Sequence, residues 1–119
     1  MKYLLLGLAL LLSVNSQAVE FVDFHQHDKQ QHFAAGCLIS TLTWAVAKDT
    51  GMDNPIALGL SAGIATGMLK EVYDYHHPPH MADPGDALAT AIGSFACVSV
   101  AEGVSFMLHK NQVEIKAVF

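Results

Sequence analysis

Three long apolar stretches separated by short polar segments constrain this chain more than any other feature of its sequence. They cover residues 33–47, 55–69 and 87–108. Asp53-Asn54-Pro55 and Asp83-Pro84 precede the second and third stretches, and each supplies a capping side chain followed by proline at the first helical position. Because short connections make successive helices antiparallel, we predict an all-α fold, an antiparallel three-helix bundle over residues 28–110.

Residues 1–18 have the pattern of a secretory signal peptide. Lys2 precedes an apolar run over residues 3–12, and Ser16 and Ala18 occupy the −3 and −1 positions of a cleavage site. The apolar run is much shorter than the roughly 20 residues that cross a bilayer, which favours cleavage after Ala18 over retention as an N-terminal anchor. We therefore predict an exported mature protein, located in the periplasm or associated with a membrane at its periplasmic side.

Two segments flank the predicted bundle. Residues 19–27 form a mixed lead-in, and residues 111–119 form a C-terminal tail in which Val113 and Ile115 alternate with polar neighbours. Alternation of this kind is typical of a strand. The tail is therefore either a short terminal strand paired with the lead-in or a frayed helix end.

The composition excludes several classes of protein. Apolar residues make up 52% of the chain, which excludes a disordered chain. The formal net charge is −5, with 6 lysines and no arginine. The chain therefore lacks arginine, whose guanidinium group binds phosphate with two parallel hydrogen bonds, and nucleic acid is not an expected partner.

Small residues recur at every fourth position in the second and third stretches. They are Gly59, Gly63 and Gly67 in the second, and Ala89, Gly93, Cys97 and Ala101 in the third. Such stripes let helix backbones approach closely, and they are commoner in lipid-embedded bundles than in water-soluble ones. They favour a membrane-associated bundle over a tightly packed soluble core. They also suit helix–helix association with a partner through Gly59, Gly63 and Gly67.

Antiparallel packing would gather charged residues at one end of the bundle. The start of the first helix, the end of the second and the start of the third meet there, which predicts a polar cluster of Asp28, Lys29, His32, Lys70, Glu71, Asp74 and Asp86. Glu71 and Asp74 stand in the last turn of a helix, where the backbone dipole disfavours negative charge, so cations should lie beside them. Asp28 and Asp83 are also predicted to cap their helices.

This polar cluster has two interpretations. It is either an ion-pair network that closes the bundle or a pocket that binds a divalent metal ion or a polar head group. His32, Glu71 and Asp74 are the candidate metal ligands, since one imidazole with carboxylate oxygens suits zinc, manganese or iron. A compact motif such as H-E-x-x-H is absent from the sequence. The next loop, His76-His77-Pro78-Pro79-His80, could collect metal ions without a defined role.

Export would place Cys37 and Cys97 in an oxidising compartment, where cysteines commonly pair. With Asp28 and Asp83 taken as caps at one level, the two cysteines differ in depth by about 7.5 Å along the bundle. Bridged residues rarely have Cα atoms more than about 7 Å apart, so the sequence predicts free, buried cysteines.

The residues of the polar cluster carry a family resemblance. Asp28-Lys29-Gln30-Gln31-His32-Phe33, Gly67-Met68-Leu69-Lys70-Glu71-Val72-Tyr73-Asp74 and the segment from Asp86 to Gly93 resemble the small exported YfiM-like proteins of the bacterial envelope and, more distantly, VanZ-type membrane proteins. The resemblance covers residues 28–93 and implies that the polar cluster is the functional site, without implying a reaction. The chain departs from the pattern because it has no lipid-anchoring cysteine after the signal and no aromatic residue shortly before Asp86.

Three functions are consistent with these patterns. The leading prediction is an exported cell-envelope protein, a membrane-associated bundle whose polar cluster contacts a membrane lipid or another envelope component. The second is a small metal-dependent hydrolase acting on an envelope substrate, with Glu71 or Asp74 as general base and His32 as metal ligand or acid. The third is an interaction module in which the glycine stripe packs against a partner's helices.

Overall fold

The computed structural model describes residues 1–13, 27–78 and 82–118, and the side chains of residues 1–12, 29–78 and 82–111. Within these ranges the chain forms four helices and no strand. They are α1 (Lys2–Ser13), α2 (His27–Asp49), α3 (Pro55–His76) and α4 (Pro84–Val118). The predicted all-helical fold is therefore confirmed for the described residues.

α2 and α4 make the most extensive contact between two helices. A Cβ atom at Gly36 would collide with the backbone of Thr90, and one at Gly93 would collide with the backbone of Phe33. The two helix backbones can touch at these positions only because both residues are glycine.

A constant register relates these two helices. The hydrogen bonds from Trp44 to Glu102 and from Ser94 to Gly36 both join residues that are 58 positions apart in the sequence. Since the offset is the same at two depths, α2 and α4 run in the same direction.

The glycine stripe of α3 packs inside the chain's own bundle. Gly63 lies against Ser94, and Gly67 lies against Thr90, where an added Cβ would come within 2.9 Å of the threonine Cβ. The contacts on α4 thus move backwards along the sequence as α3 moves forwards. Both glycines and Gly59 are buried, so the small-residue packing that the stripe predicts occurs between α3 and its neighbours in the same chain.

α1 packs on α2 and reaches the hydrophobic core. Its side chains Tyr3, Leu4, Leu6 and Leu10 pack against the core cluster of Trp44, Ala45, Val98 and Ala101. The carboxylate of Asp49 accepts hydrogen bonds from the backbone N–H groups of Tyr3 at 3.0 Å and Leu4 at 2.8 Å. Asp49 thereby satisfies N–H groups at the start of α1 that have no partner within their own helix.

The helix starts follow the predicted capping in two of three cases. Asn54 Oδ1 accepts a hydrogen bond from the backbone N–H of Ala57 at 3.3 Å, and Asp83 Oδ1 accepts one at 2.9 Å from the N–H two residues later. α2, in contrast, begins at His27. The prediction that Asp28 caps this helix is therefore wrong, because Asp28 lies inside its first turn.

The C-terminal tail continues α4 as far as Val118. The alternative of a short terminal strand is therefore wrong for residues 111–118. This segment contains neither glycine nor proline, so no residue interrupts the helix that precedes it. Residues 19–26, with which a strand would pair, and the predicted cleavage site at Ala18 lie outside the described residues.

Cys37 and Cys97 form a disulfide bond between α2 and α4, with Cα atoms 5.2 Å apart. The prediction of free cysteines is wrong, because it places Asp28 and Asp83 at the same level. With the observed offset of 58 positions between α2 and α4, the two cysteines differ in depth by only about two residues. That difference corresponds to roughly 3 Å.

α4 combines high hydropathy with an exposed apolar surface. Among the described residues, only its segment Pro84–Asn111 is long and apolar enough to cross a membrane by length and composition. The most apolar 18-residue window of this segment has a mean hydropathy of 1.6, and 28% of that window is buried inside the bundle. Ile92, Phe95 and Phe106 are among its large exposed side chains.

Candidate functional site

One end of the bundle collects polar side chains from three helices. They are Lys29 and His32 of α2, Lys70, Glu71 and Asp74 at the end of α3, and Asp83, Asp86 and Thr90 at the start of α4. We call this set the polar end. Of the cluster predicted from the sequence, the side chain of Asp28 lies outside the described residues.

His32, Glu71 and Asp86 form the centre of the polar end. Each offers one atom of a type that binds metals, and these three atoms lie within 4.8 Å of one another. Nε2 of His32 lies 3.5 Å from Oδ2 of Asp86. The side chain of Asp86 is 4% exposed and that of His32 is 12% exposed. Three helices thus place an imidazole and two carboxyl groups around one volume that is largely withdrawn from water.

Thr90 contacts one nitrogen of the His32 ring. The hydroxyl group of Thr90 donates its proton to the backbone carbonyl of Asp86 at 3.0 Å, and its Oγ1 lies 3.3 Å from Nδ1 of His32. With its proton on the carbonyl, Oγ1 accepts a hydrogen bond from the ring in the tautomer that is protonated on Nδ1. In that tautomer the lone pair is on Nε2, the nitrogen that faces Asp86.

Lys29 neutralises part of the negative charge at the polar end. Its ammonium group lies 2.7 Å from Oδ2 of Asp83 and 3.1 Å from Oδ1 of Asp86. The hydrogen bonds to Asp83 and then to Asp86 raise the pKa of Lys29 above its ordinary value. The hydrogen bond from Lys29, followed by that from the N–H of Gly85, lowers the pKa of Asp83. Lys29 and Asp83 are therefore both charged at neutral pH.

Glu71 connects the end of α3 to the start of α4. Its Oε2 accepts a hydrogen bond from the backbone N–H of Asp83, at the positive end of α4 where an anion is favoured. Its Oε1 is buried and has no hydrogen-bond partner among the described residues. Buried polar atoms are nearly always paired, so an unpaired Oε1 is unusual. It marks a position that could contact a hydrogen-bond donor or a cation.

Asp74 lies outside the central group. Its carboxylate pairs with Lys70, one turn earlier on α3, and its side chain is 7% exposed. The structure thus brings His32 and Glu71 together as predicted, and it places Asp86 where the sequence suggested Asp74. The positive partners expected near the end of α3 are a lysine for Asp74 and a helix N-terminus for Glu71.

Sequence reasoning misses the contacts of two members of the polar end. It places Asp83 at this end as a helix cap, yet Oδ2 of this residue also accepts a hydrogen bond from Lys29. It does not single out Thr90 at all. Thr90 lies four residues after Asp86, and this spacing, which puts two side chains on one face of a helix, is the signal that could have found it.

An open groove leads to the polar end from outside the bundle. It has a volume of about 440 Å³ and is lined by residues of all three helices, among them His32, Gly67, Lys70 and Thr90. A small molecule or solvent ion could therefore reach the imidazole of His32 without any change in the helices.

The histidine-rich loop does not join the central group. The Nδ1 atoms of His76 and His77 lie 2.9 and 2.8 Å from the carbonyl oxygens of Val72 and Tyr73, and both residues are exposed. His80 lies outside the described residues.

The opposite end of the bundle carries a separate polar group. Glu102 accepts hydrogen bonds from Nε1 of Trp44 at 2.6 Å and from Nζ of Lys48 at 2.9 Å. These contacts connect α2 to α4 at this end, and both carboxylate oxygens of Glu102 are paired.

Comparison with protein-family models, with curated proteins and with solved structures finds no match for this chain. The resemblance to YfiM-like and VanZ-type proteins therefore stays a prediction that rests on its motifs.

Proposed function

We propose that this chain is an exported protein of the bacterial cell envelope, a membrane-associated helical bundle that presents a polar site at one end. The observation that carries the proposal is the apolar outer surface of α4. Its exposed large side chains include Leu88, Ile92, Phe95, Val100, Phe106 and Met107. Monomeric soluble proteins rarely expose extensive apolar surface, so contact with lipid accounts for these residues.

The distance between the polar ends also supports a membrane position. Asp86 and Glu102 mark the two ends on α4, and they are about 24 Å apart along the helix at roughly 1.5 Å per residue. The hydrocarbon core of a bilayer is about 30 Å thick, so the polar groups would lie near its two boundaries. The segment with the required length and composition is Pro84–Asn111.

The disulfide supports export. Disulfide bonds persist in the periplasm and outside the cell and are rare in the cytosol, and Cys37 and Cys97 are paired. In this proposal residues 1–18 direct export and are removed after Ala18. The mature protein is then an antiparallel three-helix bundle of α2, α3 and α4.

The proposal includes the assignment to the YfiM-like group, with a membrane lipid or another envelope component as the partner of the polar end. The position of the motif residues supports this part. Lys29, His32, Glu71 and Asp86 come from motifs that are far apart in the sequence, and their side chains share one end of the bundle.

Membrane fractionation tests the proposal. The full chain, expressed with its own N-terminus, should stay in the membrane pellet after carbonate extraction and should migrate as the disulfide-bonded form on a non-reducing gel. Phe95→Asp places a charge in the exposed apolar face, which opposes insertion by about 2.5–3.5 kcal/mol, and should move protein into the soluble fraction. Asn111→Asp, at the exposed end of the apolar segment, is the matched control. Release of the unmodified chain into the soluble fraction contradicts the proposal.

A second candidate is a metal-dependent hydrolase acting on an envelope substrate, which the groove beside His32 favours. In this case His32 would hold the metal and Glu71 would act as general base. The test is hydrolysis of chromogenic phosphate and carboxylic esters by the purified chain with added Mn²⁺ or Zn²⁺. Activity should require the metal and should be lost in Glu71→Gln. Equal activity of the two proteins, or no activity on either ester, contradicts this candidate.

A further inference from the structure

We propose that His32, Glu71 and Asp86 bind one divalent transition-metal ion, of the class of Zn²⁺ or Mn²⁺, at the polar end of the bundle. This inference goes beyond membrane association and does not depend on it. The hydrolase candidate also needs a metal ion at His32, but it keeps Glu71 as general base, whereas here Glu71 is a ligand. Fractionation and metal binding are separate measurements, so each proposal can fail without the other.

The spacing of the three ligand atoms suits a single ion. Metal bonds to imidazole nitrogen and carboxylate oxygen are about 2.0–2.2 Å long, so two ligands of one ion lie no more than about 4.4 Å apart. The atoms of His32, Glu71 and Asp86 lie within 4.8 Å of one another. Small side-chain rotations, without movement of the helices, would bring them to bonding distance.

The unpaired oxygen of Glu71 points independently to a cation. Oε1 is buried and has no hydrogen-bond partner among the described residues, while Oε2 is held by the N–H of Asp83. A buried carboxylate oxygen without a partner is destabilising because nothing compensates its loss of hydration. An ion bound between Glu71 and Asp86 would give Oε1 of Glu71 a positively charged partner.

The hydrogen bond to Thr90 prepares His32 as a ligand. Metal-binding histidines almost always donate the proton of the other ring nitrogen to an oxygen, which fixes the ring and directs its lone pair at the ion. Oγ1 of Thr90, 3.3 Å from Nδ1 of His32, is the oxygen placed to accept that proton. Nε2, the nitrogen that faces Asp86, would then bind the ion.

The ligand set selects the class of ion. An imidazole beside two carboxylates suits zinc, manganese and iron, whereas magnesium and calcium prefer oxygen ligands alone. Three protein ligands leave at least one coordination position for water or a substrate. The groove beside His32 would give solvent access to a bound ion from the side of the imidazole.

The positive charge of Lys29 should weaken the binding of a metal ion. Its ammonium group lies 3.1 Å from Oδ1 of Asp86, and like charges at such distances repel strongly in a partly buried site. Removing this charge should therefore tighten metal binding, the opposite of the effect expected for a ligand.

Isothermal titration calorimetry of the full chain in detergent micelles, with Zn²⁺ and Mn²⁺, tests the inference. The starting protein carries His76→Gln, His77→Gln and His80→Gln, because the histidine-rich loop could bind metal by itself. We expect one ion per chain. Loss of even an outer partner of a metal ligand weakens binding about 10–100-fold, so His32→Gln and Glu71→Gln should weaken it at least tenfold and Thr90→Val about tenfold.

Two variants serve as matched controls. Asp74→Asn removes a buried acid of the same helix that pairs with Lys70 and should leave the affinity unchanged. Lys29→Gln should tighten binding. Circular dichroism without metal checks that each variant is folded, and if a ligand variant does not fold, opposite shifts in Thr90→Val and Lys29→Gln decide the question.

Three results would overturn the inference. They are the absence of a stoichiometric ion in the starting protein, an unchanged affinity in folded His32→Gln or Glu71→Gln, and an equal loss in Asp74→Asn and Glu71→Gln. Displacement of bound Zn²⁺ by excess Mg²⁺ would overturn the assignment to a transition metal, since it would mean that the imidazole does not contribute.

Discussion

Among single residues, Asp49 shows how a charged group can hold a whole helix in place. Its carboxylate lies at the end of α2 and contacts the backbone N–H groups that begin α1. Burial acts to raise the pKa of Asp49, but the N–H groups of Tyr3 and Leu4 and the N-terminal ammonium outweigh it. The pKa of Asp49 is therefore lower than its ordinary value of 3.8.

This shift predicts that docking of α1 in the uncleaved chain depends on pH. A group whose pKa is lowered by folding stabilises the folded form while it is charged, so the contribution is complete above its unfolded pKa and disappears as the pH falls through its folded pKa. For Asp49 the loss lies below pH 3.8. Asp49→Asn should dock α1 more weakly at neutral pH and should converge with the unmodified chain in acid.

The emission of Trp44, the single tryptophan of the chain, reports this docking because the Tyr3 ring packs against its indole. The measurement is a pH titration of the fluorescence of both proteins. Identical spectra of the two proteins at neutral pH would show that Asp49 does not hold α1.

At the scale of helices, α2 packs on α4 through direct contact between their backbones. Each glycine in a helix interior is destabilising by about 0.5–1 kcal/mol relative to alanine. At Gly36 and Gly93 the neighbouring backbone occupies the space of a Cβ, so the close approach of the helices offsets this loss. A Cβ atom at Gly103 would meet no atom of another helix within 4 Å. Glycine at this position therefore allows no closer helix contact than alanine would.

We predict opposite effects for two alanine substitutions on α4. Gly93→Ala should lower the free energy of unfolding by about 1–3 kcal/mol, because its methyl group must displace the backbone at Phe33. Gly103→Ala should raise it by about 0.5–1 kcal/mol, because only helix propensity changes. Chemical unfolding in mild detergent, followed by circular dichroism, measures both. Effects of the same sign would contradict the backbone contact.

Removal of α1 should change the surroundings of the core. Trp44 is fully buried in the uncleaved chain, and Tyr3 and Leu4 pack against its cluster. A chain that begins at residue 19 loses these contacts, so we predict a red shift of its tryptophan emission relative to the uncleaved chain in the same detergent. An unchanged emission would mean that the other helices bury Trp44 without help from α1.

For the whole molecule, the disulfide links the first and last helices of the bundle. Its two cysteines are 60 positions apart, and a cross-link that closes a loop of this length stabilises the folded state by about 4 kcal/mol through the unfolded chain. We predict a loss of about this size in Cys37→Ser combined with Cys97→Ser, measured by chemical unfolding. A variant as stable as the oxidised protein, or equal stability before and after reduction of the unmodified chain, would contradict the prediction.

The helices and most of the polar end could be predicted because their signals are local. Asn54 and Asp83 mark helix starts through capping side chains, and proline ends α3 soon after His76. The order of the helices was enough to bring His32 and Glu71 to the same end of the bundle. Choosing between Asp74 and Asp86 required the rotation of each helix about its axis, which no local pattern specifies.

Local sequence signals are enough to establish that the chain is helical, where α3 and α4 begin, and which residues could meet at one end, because capping, proline geometry and apolar periodicity act within a few residues. The pairing of Cys37 with Cys97, and the position of Asp86 beside His32 and Glu71, follow instead from how the helices pack. Both depend on the axial register of α2 against α4. That register is set where the glycines of each helix contact the backbone of the other, an interaction between segments far apart in the chain.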